Sequence, residues 1–62
     1  SNNRKREKFV ELAEKRVTKA IKDLRLVGNL ANKGNYSYTE KDVAKICRVL
    51  NDELRTMKAR FQ

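Results

Sequence analysis

Apolar side chains recur along this chain at alternating intervals of three and four. Over the first half the positions are Val10, Ala13, Val17, Ala20, Leu24, Val27 and Ala31, a spacing that keeps them on one side of an α-helix and makes a heptad seam when sustained. Phe9 and Ile21 widen the stripe on its flanks, which suits a bundle better than a strict two-stranded coil. The pattern predicts a long first helix from Arg4 to about Asn32. Gly28 weakens its last turns by about 1 kcal/mol relative to alanine, so that end is expected to fray or kink. The same spacing returns in Val43, Cys47, Leu50, Leu54, Met57 and Phe61, broadened by Ile46, and predicts a second helix over about 40–61.

Turn chemistry lies between the two, over 33–39. Gly34 can take the left-handed conformation that ends a helix, and Asn32, Lys33 and Asn35 surround it. The restart is fully specified. Thr39 is placed as N-cap, Asp42 as its reciprocal partner at the third helical position, Glu40 in the first turn, and Tyr38 to staple onto Val43. A connector this short makes neighbours of the helices it joins. The expected architecture is therefore all-α, a two-helix antiparallel hairpin forming one domain over 1–62. Internal repeats and low-complexity tracts are absent.

Size changes that picture. Sixty-two residues sit where one core is marginal and a disulfide, a metal or a partner chain supplies the remainder. One cysteine rules out an internal disulfide, and a single thiol without any histidine rules out the common zinc frameworks. Association with a second copy, two hairpins closing into a four-helix bundle, is the remaining route. A high net charge and a mean hydropathy of −0.88 point towards disorder; the helical recurrence of the apolar positions outweighs them. No apolar run approaches the ~20 residues of a membrane span, and no secretory signal pattern is present, so a cytoplasmic protein with a reduced thiol is expected. The chain opens Ser1-Asn2-Asn3 without methionine, which reads as a cleaved tag or a fragment boundary.

Sixteen lysines and arginines against eight acidic residues give a net charge of +8, an excess that favours acidic partners, nucleic acid first. Lys8, Lys15, Lys19 and Lys22 fall within about 60 degrees of one another on a helical wheel at roughly 100 degrees per residue, opposite the seam. Arg4, Lys5 and Arg6 add a basic amino-terminal arm with Lys8. Lys41, Lys45, Arg48 and Arg55 make a second stripe, interrupted by Asp52. A solvated helix face is the plainer account of such runs, although the excess is larger than solubility requires. Tyr36 alternates with Tyr38 in the connector; it either packs against Leu30 or stands exposed to stack on a base or a partner. Asn29, Asn32 and Asn35 nearby fit capping of the first helix better than ligand contact.

Catalytic chemistry finds no constellation. Cys47 has no histidine to pair with and occupies a seam position, where it reads as a small buried hydrophobe. Glu11 with Glu14, and Asp52 with Glu53, sit among cations that would pair with them at the surface. Neither glycine belongs to a phosphate-cradling loop. The chain reads as a non-enzyme with no cofactor, no metal and no small-molecule substrate.

The strings Phe9-Val10-Glu11-Leu12-Ala13-Glu14-Lys15-Arg16-Val17 and Asn35-Tyr36-Ser37-Tyr38-Thr39-Glu40-Lys41-Asp42-Val43 resemble short bacterial accessory proteins of plasmids and other mobile elements. That resemblance spans nearly the whole chain and implies a bacterial cytosolic origin and a helical hairpin, with no activity attached. In architecture the chain is also similar to the Rop-like RNA-binding modulators of plasmids, hairpins that dimerise into a four-helix bundle and grip paired RNA hairpins with their first helices. Ile46-Cys47, Leu50 and Ala59-Arg60-Phe61 echo the second helix of that family at a different spacing.

These readings combine into one expectation: a small basic accessory protein that dimerises and binds DNA or RNA through Arg4, Lys5, Arg6, Lys8, Lys15, Lys19, Lys22 and Tyr36. Its rival is a helical interaction module whose charge meets an acidic protein. Peripheral membrane association ranks below both, because the basic face lacks flanking tryptophan and the apolar face is needed for packing.

Overall fold

The structure, a computed structural model, describes residues 2–62. Ser1, the first residue of the opening read as a tag or fragment boundary, lies outside them. The described chain is helical, with α1 over Asn2–Gly28 and α2 over Glu40–Ala59 and no strand. It divides into two compact units, Ser1–Asn32 and Lys33–Gln62.

In the first unit, α1 begins before the expected Arg4 and stops four residues before the expected Asn32. Asn29 N–H still donates to the Arg25 carbonyl at 3.0 Å in helical register. Beyond it the ladder tightens: Leu30 N–H donates to the Val27 carbonyl at 3.1 Å and Ala31 N–H to the Gly28 carbonyl at 3.0 Å. Those shorter-range bonds satisfy carbonyls that a helix end otherwise leaves open. Gly28, the least helix-favouring residue of α1, marks the change of register. The expected left-handed stop at Gly34 is accordingly not used; no described residue has a positive φ.

The second unit starts as its sequence dictates. Thr39 has extended backbone angles (φ −113, ψ 167), and its Oγ1 accepts the Asp42 N–H at 3.2 Å. The Asp42 carboxylate accepts the Thr39 N–H in return at 2.9 Å, closing a reciprocal capping box. Glu40 and Asp42 place negative charge in the first turn, where the helix dipole favours it. Tyr38 is half-buried, and the Lys33 ammonium stands 5.8 Å from its ring centroid. At the far end Arg60 caps the helix, with its N–H on the Met57 carbonyl at 3.1 Å.

Among the described residues none is buried. Val10, Leu12 and Ala13 are half-buried, while the centres of the two stripes stand open, with Leu24 at 51% exposure and Leu50 at 39%. Cys47, expected in a core, is exposed in the single chain, because the stripe it belongs to is itself uncovered. No described helix is long and apolar enough to cross a membrane.

Candidate nucleic-acid interface

Because α1 is helical from Asn2, the basic residues of the amino-terminal arm are directed by helical geometry to different faces. At roughly 100 degrees per residue, Arg4 falls within the same arc of about 60 degrees as Lys8, Lys15, Lys19 and Lys22. Lys5 lies about 40 degrees outside that arc. Arg6 turns to the apolar side, where its guanidinium sits 5.8 Å from the Phe9 ring centroid, within cation–π range. Of the residues singled out from sequence, the structure thus gathers five on one face and sends Lys5 and Arg6 elsewhere. Tyr36 belongs to the second unit and is 50% exposed.

The stripe is solvent-facing and loosely paired. Lys19 Nζ meets Asp23 Oδ2 at 3.0 Å, and Lys15 Nζ lies 3.9 Å from Glu11 Oε1. Both pairs are four residues apart and well exposed. Such pairs contribute only about 0.3–0.5 kcal/mol each, so a polyanion competes with them easily. Lys8 and Lys22 have no ion-pair partner among the described residues. A shallow open groove runs along this face, lined by Glu14, Lys15, Thr18, Lys19 and Lys22. The sequence pattern gave no weight to Glu14 and Thr18 as its walls, although their spacing from Lys15 and Lys22 contains that signal.

Charge is also distributed unevenly between the elements. Nine lysines and arginines face four acidic residues within α1, against five and four within α2. On α2 the cations Lys41, Lys45, Arg48 and Arg55 share a face, and Asp52 in their midst holds Arg55 at 3.4 Å. Among the described residues no three cysteine or acidic side chains gather as a metal site would require. Compared with protein-family models, with curated proteins and with solved structures, the chain finds no match in any of the three.

Proposed function

We propose that this is a small non-enzymatic accessory protein that binds nucleic acid through α1 and works as a homodimer. The observation that carries the reading is the line of Arg4, Lys8, Lys15, Lys19 and Lys22 along one side of α1, facing away from the apolar stripe. Cations so placed neutralise phosphates and release condensed counterions, the main source of affinity for nucleic acid. Because the basic and apolar faces are separate, one can bind while the other packs.

Dimerisation is supported by the uncovered stripes. A leucine-sized side chain taken fully out of water contributes about 1.5–3 kcal/mol, and most of the stability of helices in proteins comes from packing an amphipathic face rather than from intrinsic propensity. The arrangement proposed is an antiparallel hairpin pairing with a second copy as a four-helix bundle in the cytoplasm. Its form is analogous to the Rop-like dimers, and the analogy extends to the use of first helices for binding. A dimer carries the stripe twice.

The test is titration of labelled DNA and RNA fragments at low salt, with Lys15, Lys19 and Lys22 changed to Gln in one variant. Helicity and oligomeric state are expected to persist while affinity falls. The slope of log K against log salt should shrink by about one for each phosphate no longer neutralised. Should the wild-type chain bind no nucleic acid at micromolar concentration, an acidic protein partner becomes the better reading.

A further inference from the structure

We infer that the ligand of the α1 stripe is the phosphate backbone of a double strand, held without contacts to the bases; the inference rests on the nucleic-acid reading above. The stripe is long and its chemistry uniform. From Arg4 to Lys22 it spans about 27 Å along a continuous helix, at roughly 1.5 Å per residue. A row of charge that length is best met by a ligand whose own charges are already fixed in place. Duplexes meet that condition, with one negative charge per roughly 1.7 Å of axis and a persistence length of about 50 nm. A single strand must first be ordered, and proteins that bind it offset the cost by stacking bases on aromatic rings.

This face offers no ring. The residues interspersed with or flanking its cations are Lys5, Glu11, Leu12, Thr18, Asp23 and Leu26, none of them aromatic, and Phe9 points to the apolar side with Arg6 against it. Base reading is equally ill served. Four of the five cations are lysines, compact point charges on flexible stems that follow a phosphate wherever the backbone places it. Arginine, with its planar fork, is the better reader of base edges, and the stripe has one, at its end. Glu11 opens a gap between Lys8 and Lys15, separating the two outer cations from the three inner ones.

The experiment compares the full-length wild-type chain, at one low salt concentration, on four labelled probes of about two helical turns (roughly 20 base pairs). They are two DNA duplexes of unrelated sequence, an RNA duplex, and an unstructured single strand. The two DNA duplexes should bind within about a factor of two of each other, and the single strand on the order of tenfold more weakly than a duplex, for want of even one stacking interaction. Whichever of the DNA and RNA duplexes binds more tightly names the source of the backbone. A single strand that binds as well as the duplexes overturns the inference, and loss of that binding on Tyr36→Ala would assign it to stacking on the connector tyrosine. A strong preference between the two DNA sequences overturns it as well. In both cases nucleic-acid binding itself stands, whereas failure to bind any probe removes the reading on which the inference depends.

Discussion

The two helices of this chain are specified in different ways. α2 is short and tightly written: a reciprocal cap fixes its start, and Val43, Ile46, Cys47, Leu50, Leu54 and Met57 lie within an arc of about 100 degrees. Its charges nearly cancel. α1 is longer, has no acidic residue in its first turn, and begins with cations at the end of the helix dipole that disfavours them. Its apolar residues spread over a wider arc, with Leu12 and Leu26 outside it altogether. The contrast separates a helix specified for folding from one whose charge pattern works against its own beginning. A polyanion laid on α1, as proposed, would relieve that conflict.

The sharpest way to break this division is through the two stripes. Leu50→Ala on α2 and Leu24→Ala on α1 should each cost about 2–5 kcal/mol if association covers them, with Leu50→Ala the more damaging. Melting that depends on protein concentration is the accompanying signature. Both leucines are substantially exposed in the single chain, so wild-type melting of both variants, or a well-folded monomer by light scattering, would show that the stripes stay uncovered.

Next in size comes charge. Replacing Lys15, Lys19 and Lys22 by Gln should weaken nucleic-acid binding far more than replacing Lys41, Lys45 and Arg48, and only the first variant should flatten the salt dependence, by about one in slope for each phosphate given up. Equal losses of affinity in the two variants would end the assignment of binding to α1.

Thr39→Ala should lower stability by about 1 kcal/mol, since it removes the acceptor for the Asp42 N–H; circular dichroism melting measures it. The smallest effect has the opposite sign. A Cβ at Gly28 would meet nothing within 4 Å, so Gly28→Ala should stabilise α1 by about 0.5–1 kcal/mol. Destabilisation there would reveal another chain packed closely against that turn.

How far the sequence reveals the structure varies along the chain. The cap of α2 was legible to the residue, because Thr39 and Asp42 interact only with each other's backbone and need no knowledge of the rest of the fold. Both stripes were legible for the same reason, and so was surface pairing of Glu11 and Asp52 with cations, although only the structure names Lys15 and Arg55 as the partners. The end of α1 was legible in part. Gly28 marked its last turns as weak, and the helix ends there; the stop itself was placed at Gly34, which carried the usual signal, because residue type does not say whether a weak glycine merely loosens a helix or lets the hydrogen-bond ladder tighten and end it. Helix at Asn2 and Asn3 was missed too, since the expected first helix began at Arg4. Helical geometry keeps Arg4 on the face of the lysines and turns Lys5 and Arg6 away from it.

The connector between Gly28 and Glu40 has a practical consequence for protease digestion. Lys33 is the only lysine or arginine between Arg25 and Lys41, and it lies outside both helices in exposed chain. Proteases cut where backbone can enter their active site without local unfolding, so limited trypsin should nick the protein after Lys33 before it attacks the many cations held in helices. The products are two peptides with one helix each, the first carrying the lysine stripe and the second the capped, nearly neutral partner. Whether the halves stay together through gel filtration, and separate only in denaturant, would report directly on how strongly one helix needs the other.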